Sequence, residues 1–167
     1  MVCWAQIMHH IGRTLEDSNE VPEEVKERLV AYWDSRLASA KATPNADEFS
    51  EELCEFAWWF RSEKLAEKWC LTQVTGYLGI VNKVKDEMFL VKSLADCSER
   101  YPKETAQCLF LVVRKMGQDQ YIYVHEDQAK RILRVALASE DADARKAASD
   151  SQDLLLRAGR FEYKSLS

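Results

Sequence analysis

Apolar side chains recur along this chain every three or four positions, the period of a helix that turns one face to a core. Trp4, Ile7, Met8, Ile11 and Leu15 share one side of a first helix predicted from about Val2 to Leu15, and Ser18-Asn19-Glu20 ends it. Pro22 opens a second helix, because at a first turn its missing N–H has no helical partner to lose. Glu23, Glu24 and Glu27 place carboxylates at the positive end of that helix dipole. Its apolar stripe is Val25, Leu29, Tyr32, Trp33 and Leu37, and it runs to about Ala42 before the loop signal Thr43-Pro44-Asn45-Ala46.

A third helix starts at Asp47 in the same acidic manner and carries Phe49, Leu53, Phe56, Trp59 and Phe60. Ser62 reads as the N-cap of a fourth, with Leu65, Trp69, Leu71, Val74, Leu78 and Val81. The fifth spans about Asp86 to Arg100, with Met88, Val91, Leu94, Ala95 and Cys97. Pro102 suits the first turn of a sixth, predicted over Glu104 to Met116. Its run from Cys108 to Val113 would fit a buried strand as well as a buried helix by periodicity alone. The helical flanks, Lys103 to Gln107 and Arg114-Lys115, decide for a helix buried all round. Gln118 to Val124 alternates as a short extended stretch or an ordered loop would. Helices follow over Glu126–Ser139 and Ala142–Ala158, with Gly159 as a C-cap and Phe161 to Leu166 as a short docking segment.

Helix starts near Glu63, Lys103 and Asp141 recur at roughly 38 to 40 residues, as do those near Asp86 and Glu126, a period in the range of HEAT and armadillo-like repeats. The expected fold is therefore all-α: about eight helices in antiparallel pairs, stacked as an α-α superhelix over a single domain, residues 1–167. Only 5 Gly and 3 Pro punctuate the chain, too few for the turns of a β-sandwich or barrel. A resemblance agrees with that architecture. Phe60-Arg61-Ser62-Glu63-Lys64-Leu65, Ala95 to Pro102, Arg131 to Ser139 and Leu156 to Tyr163 resemble the C-terminal helical-repeat region of large bacterial multidomain proteins. The resemblance covers about residues 58–166 and includes no catalytic motif. It implies a recognition role behind effector domains, some of them tied to defence against phage.

Charge divides the chain. Residues 1–60 hold 12 acidic and 5 basic side chains, and the remaining residues hold 16 and 18. An acidic front third repels a phosphate backbone, so generic nucleic-acid binding is disfavoured. The domain accordingly subdivides into acidic N-terminal helices (1–60) and HEAT-like pairs (61–167). The five cysteines Cys3, Cys54, Cys70, Cys97 and Cys108 form no Cys-x-x-Cys pair and read as buried thiols of a reducing cytoplasm. Met1 to Ile11 lacks a basic start and a small-residue cleavage site and is too short to span a bilayer, so no membrane association is expected.

The chemistry looked for is absent from the motifs. The five glycines do not cluster into a phosphate loop, and no Gly-x-Ser-x-Gly elbow or His-Glu-x-x-His occurs. Adjacent His9 and His10 point about 100° apart on a helix, so one ion would need a distant carboxylate such as Glu16. His125-Glu126 reads as a capping or first-turn pair, and carboxylate pairs such as Glu51 with Glu55 or Asp141 with Asp143 as helix-start charges. No catalytic, cofactor or metal residue is assigned, and no cofactor is expected.

Two features could bind a partner. One is the aromatic set Trp58, Trp59, Phe60 and Trp69, of which consecutive members cannot all face one core. The other is the basic row Lys130, Arg131 and Arg134, with Arg145 and Lys146, interleaved with acidic residues as a solvated surface would be. The function expected is a non-catalytic scaffold that binds a protein. The rivals are an enzyme with an unrecognised inter-helix site and a phage-type inhibitor mimicking nucleic acid, which needs Glu48, Glu51, Glu52 and Glu55 on one exposed face.

Overall fold

In the computed structural model, which describes residues 3–43, 47–116 and 125–166, every regular element is helical. Nine α-helices are found among the described residues: α1 (Trp4–Asp17), α2 (Glu23–Ala42), α3 (Asp47–Cys54), α4 (Phe56–Arg61), α5 (Glu67–Leu78), α6 (Glu87–Cys97), α7 (Pro102–Lys115), α8 (Glu126–Leu137) and α9 (Ala142–Arg157). A 3-10 turn, Phe161–Tyr163, follows. The all-α fold expected from periodicity is the fold observed. Both the Gln118–Val124 stretch and the Pro44–Ala46 part of the first loop lie outside the described residues.

One more helix is present than expected because the segment from Asp47 to Phe60 breaks at Glu55, where φ is −65° and ψ −11°. Five consecutive residues, Phe56 to Phe60, are buried in α4. A straight helix with one solvent face could not bury five in a row. The break sets α4 inside the unit instead, covered by α1 on one side and α5 on another. Ser62 is not an N-cap. It closes α4, its hydroxyl donating to the Trp59 carbonyl at 2.6 Å, and the N-cap of α5 is Ala66 in extended conformation. A serine hydroxyl serves a helix carbonyl as readily as a helix N–H, and Glu63 at φ 59° then turns the chain away.

Pro102 occupies the first turn of α7 as expected, two residues before the predicted start. The apolar run is helical, but Cys108, Leu109 and Val112 are buried while Phe110, Leu111 and Val113 are half-buried, so it is not enclosed all round. Gly159 has φ 81° beyond α9. Its N–H donates to the Leu156 carbonyl and that of Arg160 to Leu155, both at 3.0 Å, the paired bonds of a Schellman cap.

Compactness divides the chain into residues 1–90 and 91–167. The charge boundary at residues 60/61 falls within α4, inside the first of these. In the first unit α1 rests on α3 and α4, while α5 takes α2 and α4. Its core is aromatic: Trp33 meets Phe56 at 4.3 Å and Trp59 at 5.6 Å between ring centroids, with Met8, Leu53 and Tyr77 buried around them. In the second unit α7, α8 and α9 each pack against the other two, and the 3-10 turn packs on α9. Buried Ala129, Ala136, Ala144, Ala148 and Ser151 let these helices approach closely, and Leu109, Ile132, Leu133 and Leu155 fill the space between. Cys54, Cys70, Cys97 and Cys108 are buried and Cys3 is exposed, the one departure from the expected thiol pattern. Among the described residues no helix is long and apolar enough to cross a membrane.

Candidate functional site

The aromatic candidates are largely core. Trp59 is fully buried, its indole N–H donating to the Met8 carbonyl at 2.9 Å and so tying α4 to α1. Trp58 is 8% exposed. It donates to Asp86 at 3.2 Å, stacks edge-on with His9, and has the guanidinium groups of Arg13 and Arg61 over its ring, 5.1 and 5.2 Å from its centroid. Trp69 is half-buried on α5, against Phe56, with its N–H on Asp34 at 3.3 Å.

Most of the charges singled out above are ion-paired within their own unit, Arg131 and Lys146 of the basic row at its exposed surface. In the second unit Lys130 pairs with Glu126 and lies over the Tyr163 ring, while Arg131 pairs with Glu99 at 3.0 Å. Arg134 is exposed on the same helix, Lys146 pairs with Asp150, and Arg145 donates to the Ser139 carbonyl. His125 is buried just ahead of α8. In the first unit the acidic set does not form one exposed face. Glu52 is 5% exposed and bonded to Arg36, Glu55 is half-buried against His9 at 2.9 Å, and Glu51 is exposed beside Lys85. Folding turned two of these four carboxylates inward to meet the His9 ring on α1 and the Arg36 guanidinium on α2. Glu16 pairs with Arg61, not with a histidine. Among the described residues no group of three His, Cys, Asp or Glu converges as metal ligands would.

What the structure brings together was not singled out in the sequence. α1 rests on α3 and α4 through Met8 and Gly12, and α2 uses Trp33, Leu37 and Ala40 as its buried face. Each helix has an apolar arc wider than that contact uses. The leftover arcs, Trp4, Ile7 and Ile11 on α1 and Val25, Leu29 and Tyr32 on α2, face each other across an open groove. It consists of two adjoining cavities of about 480 and 430 Å³ that share Ile11, Val25 and Leu29. Trp4 is 50% exposed and Val25 41%, although both belong to the predicted buried stripes.

The ends differ. Next to Trp4, Arg36 grips Glu52 with two hydrogen bonds of 2.6 Å and lies over the Trp4 and Phe49 rings at 5.5 and 5.2 Å. The Glu52 hydrogen bond raises the Arg36 pKa further above its usual range. Tyr32 stands beside this pair, and burial, with the Glu52 charge, pushes its phenol up. At the other end the connection between α1 and α2 contributes Glu20, Val21 and Pro22. Thr14 and Ser18 donate their hydroxyls to the carbonyls of His10 and Thr14, at 2.9 and 2.6 Å. The groove thus offers apolar contact surface with a guanidinium, Arg28, in one cavity and a carboxylate, Glu20, in the other.

No family model matches the chain, and no curated protein or solved structure matches it. Fold and groove define an all-α protein with an open apolar cleft between its first two helices.

Proposed function

We propose that this chain is a non-catalytic protein-interaction module that docks a partner in the α1–α2 groove. The observation that carries the reading is the continuous apolar cleft with Trp4 and Val25 left half-open in it. Covering the open half of Trp4 removes roughly 100 Å² of mostly apolar surface, worth about 2–3 kcal/mol. A groove between two helices suits an apolar helix face, a recurrent mode of protein recognition. The internal pairing of Lys130 and Arg131, and of Glu52 and Glu55, supports this reading over nucleic-acid binding or mimicry. The same reading takes α7, α8 and α9 as part of a helical-repeat region, supported by their mutual packing. It also takes a reducing compartment such as the cytoplasm, supported by four buried cysteines.

The test compares the chain with its Val25→Glu variant in affinity capture from a nuclease-treated bacterial lysate. Val25 is exposed, so the variant keeps its helical circular dichroism. Proteins retained by the wild type should be lost from the variant. Equal retention by both would refute a docking role for the groove.

A further inference from the structure

The groove runs between two consecutive helices whose backbones stand apart. α1 rests on α3 and α4 and α2 on α5, while the two barely meet each other. From Trp4 to Leu15 the lining extends roughly 16 Å along α1, about three helical turns. Both lips are themselves helices, so their backbone N–H and C=O groups are used within their own turns. An extended peptide would find nothing there to pair its backbone with. A helix arrives with its backbone already satisfied and lays only side chains on the apolar floor.

The polar groups of the groove fix where charge belongs on that helix. Ile11, Val25 and Leu29 line both cavities and so mark the mid-length. His10 and Arg28, their chain neighbours, stand exposed at this height, one on each lip. Neither side chain has a hydrogen-bond or ion-pair partner among the described residues. Arg28 offers a guanidinium fork that matches a carboxylate, and His10 a ring N–H. Glu20 lies at the end bounded by Val21 and Pro22, where it repels an anion. The opposite end is taken by the Trp4 ring.

We infer that the occupant is an amphipathic helix of a partner protein, with apolar residues at i, i+4, i+7 and i+11 and a carboxylate beside the middle of that stripe. The inference rests on the docking reading and names the partner's chemistry. Positions i+3 and i+8 flank the stripe on opposite sides, equally far from its centre. A carboxylate at each meets Arg28 on one lip and His10 on the other, whichever way the helix runs.

Labelled helical peptides of about five turns test this by fluorescence anisotropy against the full chain. All carry leucine along the stripe, and three versions carry glutamate, glutamine or lysine at both flanking positions. The wild type should bind the glutamate peptide roughly tenfold more tightly than the lysine peptide, with glutamine between. Arg28→Glu, at an exposed position, should reverse that order. His10→Ala should weaken the glutamate peptide roughly threefold and spare the glutamine peptide. An order that Arg28→Glu leaves unchanged, although the variant keeps its circular dichroism, overturns the inference. So does a wild type that takes none of the peptides but binds dodecanoate, or that fills the groove by dimerising in sedimentation. Equal binding of all three peptides also overturns it, and loss of that binding on Val25→Glu would then leave the docking reading standing. Lysate capture unchanged by Val25→Glu removes the docking reading, and the inference with it.

Discussion

Gly12→Ala is a substitution whose sign is decided by packing against propensity. Gly12 lies within α1, where alanine in an open helix would be favoured by about 1 kcal/mol. A Cβ at this position would meet the Trp58 Cβ at 2.6 Å, the Trp59 Cδ1 at 3.1 Å and the Trp58 carbonyl carbon at 3.2 Å. Carbon atoms pack best at about 3.5–4 Å, so α1 must retreat by roughly 1 Å. α4 cannot move instead: the obstructing Cβ is fixed to its backbone, and its residues from Phe56 to Phe60 are buried. Overpacking of this kind costs about 1–3 kcal/mol, and stretching the bond from Trp59 to the Met8 carbonyl costs about 1 more. Net of the propensity gain, the variant should lose about 1–3 kcal/mol. All five tryptophans lie within residues 1–90, so urea unfolding followed by tryptophan fluorescence reports on that unit. A lower midpoint at unchanged m value is expected. An equal or higher midpoint would refute the close seat of α1 on α4, and with it the geometry of the groove.

Gly159→Ala has the opposite cause. No atom lies within 4 Å of the added Cβ, but φ is 81°, so strain alone should cost about 1 kcal/mol in a denaturant titration followed by circular dichroism. An unchanged midpoint would show that α9 ends without needing the left-handed turn. Glu52→Gln removes the charge that Arg36 grips while keeping the side chain's shape, and should cost about 1–3 kcal/mol by tryptophan fluorescence. Unaltered stability would mean the pair only offsets its own desolvation. The Tyr163 hydroxyl is buried without a hydrogen-bond partner, so Tyr163→Phe should be neutral or stabilising by up to about 1 kcal/mol at pH 7. Burial pushes the Tyr163 phenol up to about 12 from 10.0, so the folded state favours the neutral form. That contribution is fully present below pH 10.0 and is lost as pH rises through about 12. Wild-type stability should therefore fall more steeply than that of the variant across this window, and parallel curves would contradict the assignment.

Local rules were legible in the amino-acid order. The helical periods, Pro102 at the first turn of α7 and Gly159 after α9 depend on residues within a turn or two of one another, and each stands where its own chemistry puts it. Ser62 marks the limit of such rules, because its hydroxyl suits either end of a helix and only the burial of α4 decided which. The break at Glu55, the grip of Arg36 on Glu52 and the bond from Trp59 to Met8 required partners brought from distant parts of the chain. The groove is the clearest case. Trp4 and Met8 sit in the same predicted stripe, yet one is half-exposed and the other fully buried. An apolar pattern reports which face of a helix gains from leaving water, and that gain has no direction. Which neighbour arrives to cover the face, and how much of it stays open, was decided only when α1 settled on α4 and α2 on α5.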